Sequence, residues 1–505
     1  MSLSFADYRS GAAPHLTDVR KLKHELFEIL SKRNSYPLTE ALFLRLLGLT
    51  YLAAFGSFWP QIISLIGSNG ITPAAPSLSA MRGEWGMIRA FGFAPSLFWF
   101  GISDSLLLWC CRLGCAAAVL LVLGLRPRLT AAACWILYLS LVSVGSPFTN
   151  FQWDALLLEC GFLAFFAGSP WLMWAYRALV FRLMFESGAI KLLSGDPNWR
   201  NWHAIRYHFL TQPLPNPLAY YAYRAPAWLL DSFTAATLAI ELIAPFLLFG
   251  PRRVRRLGVG LLMLLQLTIL LTGNYAFFNF LSLALCLWGL DDRAFSPLSR
   301  FLPCGRLALQ EDADTKVRQL ARAAGSVALA FLMALGAVQV IQMFKPRFAA
   351  MVRAPLAALA PFEIVNTYGL FAVMTTTRPE IIIQGSNDQA DWRDYSFPYK
   401  PGEPHRALPL VAPHQPRLDW QMWFAALGTF SENRWVGNLM YRLLTGDSAV
   451  MKLLDPPPFS KPPRYMRALL YNYTFTMPQE RARTGAVWKR ELQGVWFGPV
   501  SLTGQ

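Results

Sequence analysis

The sequence predicts a mainly α protein: a polytopic transmembrane helical bundle of about nine spans, followed by a β-rich α+β extramembrane C-terminal domain. Of the 505 residues, 54% are hydrophobic and only 15% are charged, a balance too apolar for a soluble protein of this size. A helix needs roughly 20 apolar residues to cross a hydrocarbon core, and several windows reach or approach that length. Beyond residue 345 these windows give way to short alternating patterns that are typical of strands.

Nine apolar windows are interpreted as spans. They lie near residues 40–60, 104–124, 129–146, 153–168, 174–194, 230–250, 257–273, 276–291 and 323–344. The fourth and eighth windows are short, so they could be tilted, re-entrant or buried among other helices. The predicted organisation is a basic cytoplasmic segment (1–38), a bundle (39–345) with outward loops 61–103 and 195–229, and an extracytoplasmic β-rich domain (346–505).

The distribution of Lys and Arg residues predicts the orientation of the bundle. With a cytoplasmic N-terminus, about 18 of these residues fall in inside segments and about 5 in the outside loops between spans. This bias favours nine crossings and an external C-terminal domain. Basic inside loops also explain much of the net charge of +16, so we expect the lipid bilayer, and no nucleic acid, as a partner.

The candidate polar cluster within the predicted spans, mostly toward their outer ends, consists of Asp154, Glu159, Glu186, Lys191 and Glu241. An unpaired charge at that depth costs about 2.5 to 3.5 kcal/mol, so each should have a partner or water. Residues five apart on a helix point about 140° apart, so the partners should come from other helices. Two interpretations stay open: a structural network of ion pairs, or a polar pocket in which Lys191 is a reactive amine.

The outward loop 195–229 combines aromatic with basic residues. The candidates for partner binding there are Trp199, Arg200, Trp202, His203, Tyr220 and Tyr221. Rings with a polar group are favoured at the membrane–water boundary, so an interfacial belt is an equally good interpretation of many of them. Three prolines between residues 213 and 217 favour a rigid cover over a mobile linker.

The C-terminal domain is predicted to hold a hairpin over 379–388 and 395–399, a further strand over 464–476, and a helix over 433–446. Its densest phrase, "APHQPRLDWQMWFAALG" (412–428), contains the candidate motif residues His414, Arg417, Asp419, Trp420 and Trp423. A local pair of Arg417 with Asp419 would be structural rather than catalytic. The histidine spacing indicates neither a metal site nor a cofactor, and a binding module fits better than a hydrolase.

Several phrases are specific enough to indicate a family. "NFQWDALLLECGFL", "FESGAIKLLSGDPNW" and "VAPHQPRLDWQMWFAALG" resemble the lipase maturation factor family, and the resemblance extends from about residue 40 to 480. It implies a chaperone-like maturation factor, without an enzymatic step, that assists the folding or assembly of an exported client protein such as a lipase. It further implies an endoplasmic-reticulum membrane location in animals. The short loops and the composition look bacterial, which predicts the inner membrane with the C-terminal domain in the periplasm.

A more distant resemblance concerns Lys191. "SGAIKLLSGDPNW" is similar to a phrase of the vitamin K-dependent γ-carboxylases and their multi-helix membrane relatives, in which the matching lysine is the catalytic base. This resemblance implies an alternative function: a membrane-embedded enzyme acting on a lipid, a quinone or an exported protein, with Lys191 as general base. Asp154, Glu159 or Glu186 would then adjust the pKa of the amine.

Overall fold

The computed structural model describes residues 36–149, 151–295, 297 and 316–502. Most of the predicted basic segment 1–38 therefore lies outside the described residues. The helices up to residue 359 are α1 (Pro37–Phe58), α2 (Ile62–Ile66), α3 (Ala74–Phe93), α4 (Asp104–Val122), α5 (Pro127–Val144), α6 (Gln152–Leu163), α7 (Leu172–Leu193), α8 (Pro197–Arg200), α9 (Ala204–Thr211), α10 (Pro217–Ala222), α11 (Ala227–Leu247), α12 (Arg252–Thr272), α13 (Phe278–Cys286), α14 (Lys316–Phe344) and α15 (Ala349–Leu359).

Six helices of the described chain are long and apolar enough to cross a membrane, judged by length and composition. They are α1, α4, α5, α11, α12 and residues 319–344 of α14. These six coincide with predicted spans. The fourth and eighth windows form the short helices α6 and α13, of 12 and 9 residues, and the fifth forms α7, which is 22 residues long but carries four charged side chains. The mainly helical membrane fold is confirmed, with six clear spans where nine were expected.

The charged helix α7 lies in the interior of the bundle. It packs against α11, α13 and α14, so it is surrounded by more apolar helices. Its four charged side chains, Arg177, Arg182, Glu186 and Lys191, are all buried. Buried charges require partners, and those of α7 define much of the candidate site.

The predicted outward loop 61–103 contains two helices that were not expected, α2 and α3. Helix α3 is broken at Gly86, whose φ of 73° belongs to the left-handed region that glycine adopts at little cost. At the other end of this segment, the Ser103 hydroxyl caps α4 by accepting a hydrogen bond from Leu106 N at 3.3 Å. Although this segment is rich in turn-forming residues, it forms helices joined by bends.

The C-terminal region contains a small antiparallel sheet, as predicted. Its strands are β1 (Pro379–Ser386), β2 (Arg393–Tyr395), β3 (Tyr465–Phe475) and β4 (Trp488–Val500), in the order β2-β1-β3-β4. The helices of this region are α16 (Arg417–Ala426), α17 (Trp435–Leu444), α18 (Ser448–Met451) and α19 (Pro478–Thr484). Strands β1 and β3 and helix α17 match the predicted elements. Strand β2 ends before Phe397 and Tyr399, and β4 was not predicted.

One end of the bundle contacts the C-terminal domain, and we call it the domain end. At the end of α1, Ser57 Oγ lies 3.0 Å from His414 Nδ1 and Gln61 Nε2 donates to Gln415 O at 2.8 Å. In α2, Ser64 Oγ donates to Ala449 O at 2.6 Å. The loop that precedes α6 and the short helix α8 also contact the C-terminal domain, through Phe148 and Trp199, so the predicted outward segments gather on this side.

Candidate functional site at the junction of the bundle and the C-terminal domain

Arg417 of α16 and Asp154 of α6 form a buried ion pair that connects the two parts of the chain. Two parallel hydrogen bonds, of 2.9 and 3.0 Å, join the guanidinium to the carboxylate. The same guanidinium donates to Phe148 O at 2.7 Å and to the Tyr138 hydroxyl at 3.0 Å. Burial alone would lower the pKa of Arg417, but the attraction of Asp154 outweighs burial and raises it. The expected pair of Arg417 with Asp419 is therefore wrong, because the partner is in the bundle.

The other residues of the phrase 412–428 also hold the domain in place. Asp419 accepts hydrogen bonds from the backbone of Tyr399 and Lys400, at 2.9 and 2.8 Å. Burial raises the pKa of Asp419 to about 6, although these backbone donors oppose the shift. Trp420 packs edge-on against Trp153 of α6 with ring centroids 4.6 Å apart, and Trp423 Nε1 donates to Thr211 O at 3.0 Å. The phrase thus forms the contact with the bundle and the loops at its domain end.

Glu159 lies at the centre of a second buried cluster. Its carboxylate pairs with Arg182 of α7 at 2.6 Å, and accepts hydrogen bonds from Asn366 N at 3.0 Å and the Tyr368 hydroxyl at 2.9 Å. Glu186, one turn further along α7, accepts a hydrogen bond from Tyr368 N at 2.8 Å. The segment that follows α15 therefore supplies partners to two helices of the bundle.

Lys191 and Glu241 form a third buried pair, between α7 and α11. The amine lies 2.7 and 2.8 Å from the two carboxylate oxygens and donates to Ser187 O at 3.1 Å. The Trp199 ring centroid is 5.2 Å from the amine. Both side chains are less than one-tenth exposed. Lys191 is thus held among three acceptor oxygens and one aromatic ring.

A fourth buried cluster fixes the loop 195–229 to the C-terminal sheet. Glu380 of β1 pairs with Arg378 and Lys400, each at 2.9 Å. The Arg378 guanidinium also donates to three carbonyls of the loop, at 2.7 Å to Leu210, 2.5 Å to Gln212 and 2.8 Å to Pro213. The proline-rich part of the loop is therefore held against the C-terminal sheet.

The structure divides the loop aromatics into two groups. Trp199 and Tyr220 are buried: Trp199 Nε1 donates to Phe371 O at 2.9 Å, and the Tyr220 hydroxyl donates to Thr476 O at 3.0 Å. Trp202 and Tyr221 are exposed and could contact a partner or a membrane surface. Of the polar candidates, His203 Nδ1 lies 3.3 Å from Asp231 Oδ1, and Arg200 donates to Leu192 O at 3.1 Å.

The five predicted charges therefore lie in three separate buried clusters rather than in one pocket. The sequence indicated Lys191 and the four acids of the bundle as site residues. Four residues that complete the clusters were missed: Arg182, Arg378, Glu380 and Lys400. Arg182 carried a detectable signal, because it precedes Glu186 by four residues on an apolar helix. Within the described residues, no group of three His, Cys, Asp or Glu side chains is placed to hold a metal ion.

These features define a multi-pass membrane protein whose helical bundle carries a docked extramembrane domain. Two family models match the chain: the lipase maturation factor transmembrane domain over residues 38–297, and the lipase maturation factor C-terminal domain over residues 364–498. The chain belongs to the lipase maturation factor family.

Curated relatives are similar over most of the chain. Lipase maturation factor 1 of Bos taurus is 34% identical over 512 residues, which cover 93% of this chain and 90% of the relative. Lipase maturation factor 1 of Homo sapiens is 34% identical, covering 92% and 88%. Lipase maturation factor 2 of Gallus gallus is 34% identical, covering 92% and 81%. No solved structure matches the chain.

Proposed function

We propose that this protein is an integral membrane maturation factor that assists the folding or assembly of exported proteins such as lipases. The relatives that support this function are named lipase maturation factors, and they are similar to both the bundle and the C-terminal domain. The observation that carries the proposal is the buried Arg417–Asp154 pair, because it presents the domain in a fixed position at the end of the bundle. A client could then be held beside the membrane without any enzymatic step.

The edge strand β4 is the surface we propose for the client. Strand β4 is the last strand of the sheet, so the backbone groups along its outer edge are available to an extended segment. Its side chains Leu492 and Val495 are exposed. A partly folded protein presents both unpaired backbone and apolar side chains, and these are the groups that an open apolar edge accepts.

The test is coexpression with an exported lipase, followed by measurement of active secreted lipase and of crosslinks to the lipase in native membranes. We expect Leu492→Glu and Val495→Glu to lower both quantities. The matched control is Leu410→Glu, because Leu410 is also an exposed leucine of the C-terminal domain but lies outside β4. Point variants are preferable to deletion of residues 352–505, since deletion would also remove Arg417 and leave Asp154 without its partner.

Two outcomes would contradict the proposal in different ways. If the parent protein gave no more active lipase than membranes without it, the maturation function would be wrong. If the β4 variants supported as much active lipase as the parent, the client would bind elsewhere.

We further propose that the protein lies in a bacterial inner membrane with the C-terminal domain in the periplasm, the side that corresponds to the endoplasmic-reticulum lumen. The support is the bias of Lys and Arg toward the opposite side of the bundle. A reporter that is active only after export, fused after residue 502, should be active. Activity from a cytoplasmic reporter fused at the same position would contradict this orientation.

The alternative function, with Lys191 as general base, requires an amine that can release its proton. Both oxygens of Glu241 and the Ser187 carbonyl hold the amine in place, so the geometry supports a structural role for Lys191. A chemical role for Lys191 stays a prediction.

A further inference from the structure

Residues 85–100, which we call the apolar segment, expose large apolar side chains at the domain end of the bundle. They include the second half of α3 and the turn that follows it. The exposed side chains are Trp85, Ile88, Phe91, Phe93, Leu97 and Phe100. Ile88 is 89% exposed and Phe100 is 83% exposed, which is unusual for side chains of this size in contact with water alone.

Hydrogen bonds fix the apolar segment beside the last turns of α5. Ser96 Oγ donates to Ser140 O at 3.0 Å, and Leu97 N donates to Ser140 Oγ at 3.0 Å. Ser143 Oγ donates to Pro95 O at 3.0 Å. Ser140 precedes the end of α5 by four residues, which is about 6 Å along the helix axis. Since α5 is long and apolar enough to cross a membrane, this level belongs to the outer part of an apolar span.

The apolar segment continues directly into an exposed apolar surface of α4. Phe100 is followed four residues later by α4, a helix that is long and apolar enough to cross a membrane. The side chains Leu106, Trp109 and Leu113 of α4 are exposed. A lipid bilayer that covers these three side chains would reach Phe100 as well, whereas a protein partner would have to compete with lipid at this position.

The polar side chains of the same region suit the headgroup layer. Arg82, Glu84 and Arg89 are exposed next to the apolar side chains. Segments that lie in the plane of a membrane interface combine basic residues with large apolar side chains in this way. The residues that would be inserted and the residues that would remain hydrated are therefore both present.

We propose that the apolar segment lies within the phospholipid interface at the domain end of the bundle, with Ile88, Phe93 and Phe100 among the acyl chains. The segment is a second membrane contact that does not cross the bilayer. Because it is hydrogen-bonded to α5, it sets the depth of the bundle. That depth places the start of α6, and with it the Arg417–Asp154 pair, near the headgroups.

The test uses the full-length protein in vesicles of phosphatidylcholine and phosphatidylglycerol. Ile88→Cys and Phe100→Cys are each labelled with a polarity-sensitive fluorophore, and the protein with only its native cysteines is labelled identically as background. Leu410→Cys is the matched control, because Leu410 is an exposed apolar residue of the C-terminal domain. Lipids brominated near the headgroup end of the acyl chain should reduce the fluorescence at residues 88 and 100, while aqueous iodide should reduce it at residue 410.

Two results would overturn the proposal. Equal quenching by iodide at all three positions, without quenching by brominated lipid, would place the apolar segment in water. Protection from both quenchers at residues 88 and 100 would show that protein covers the segment, either a client or a second copy of the chain. Neither result depends on lipase maturation, so this test is independent of the proposed function.

Discussion

Replacing Arg417 with alanine should destabilise the protein by leaving Asp154 buried without its cation. The pair has two hydrogen bonds, and both side chains are 1% exposed. Removing one partner of such a pair typically costs about 3 to 5 kcal/mol. Asp154 would keep the hydrogen bond from the Tyr138 hydroxyl, so we expect the lower end of this range, about 3 kcal/mol.

Unfolding of the purified protein in detergent measures this loss, and hydrogen exchange locates it. We expect faster exchange in residues 151–163 and 412–426, which face each other at the junction. The control is Arg393→Ala: Arg393 forms an exposed pair with Asp391, so its loss should cost less than about 1 kcal/mol.

A double variant separates the charge from the shape of the junction. Arg417→Met combined with Asp154→Leu removes both charges and keeps most of the apolar volume. It should regain most of the lost stability, because replacing a whole buried pair by apolar residues is often neutral or stabilising. The reasoning would be refuted if Arg417→Ala unfolded like the parent, or if the double variant were as unstable as the single one.

Three further changes test other parts of the structure. Lys191→Ala should cost about 3 to 5 kcal/mol in detergent unfolding, because it leaves Glu241 unpaired, whereas Lys191→Met with Glu241→Leu should be stable and support lipase maturation. Gly114→Ala should cost about 1 to 3 kcal/mol, because the added carbon would lie 2.3 Å from the Phe55 ring in the contact between α4 and α1. His208→Gln should weaken the loss of stability on acidification, because burial and the charge of Lys191 lower the pKa of His208 to about 4.

The sign of the pH effect follows from the two states of His208. Its ordinary pKa is 6.5, so between about pH 6.5 and pH 4 the unfolded chain binds a proton that the folded chain does not. Stability should therefore fall as the pH falls through this window. A pKa shift of that size corresponds to at most about 3 kcal/mol. Parallel curves of stability against pH for the parent and His208→Gln would contradict the shift.

The predictions for Gly114 and for Lys191 each have a control. Gly83→Ala introduces the same group at an exposed helical position with no atom within 4 Å, so it should not destabilise. If Gly114→Ala were equally harmless, the close contact of α1 with α4 would be wrong. If the stable double variant at residues 191 and 241 folded but lost all activity, Lys191 would have a chemical role and the alternative function would be favoured.

The sequence predicted those helices and strands in which one residue pattern continues along the element. Long apolar runs became the membrane helices, a short apolar run became β1, and alternation of aromatic residues became part of β3. Strand β4 was missed because Gly494 and Gly498 interrupt its alternation and its pairing with β3 contains shifts of register. Helix α3 was missed for a related reason, since its glycines and prolines indicate turns.

The pairing of the charges could not be read in the same way. Helical spacing correctly indicated that Asp154 and Glu159 need partners from other segments, but spacing carries no information about which segments approach. The distance along the chain from Asp154 to Arg417 is 263 residues, and from Glu159 to Tyr368 it is 209 residues. The nearer charge, Asp419, was the obvious partner for Arg417 in the sequence, and it binds backbone N–H groups instead.

The sequence by itself determined that the chain inserts in a membrane and which stretches form its apolar helices, because the free energy of transfer depends on local composition. It also determined which acids would be costly to bury. Only the tertiary structure decided which cation neutralises each acid, and that Trp199 is buried while Trp202, three residues later, is exposed. Ion pairing and ring burial depend on which segments meet in space, and residues far apart in the chain decide that together.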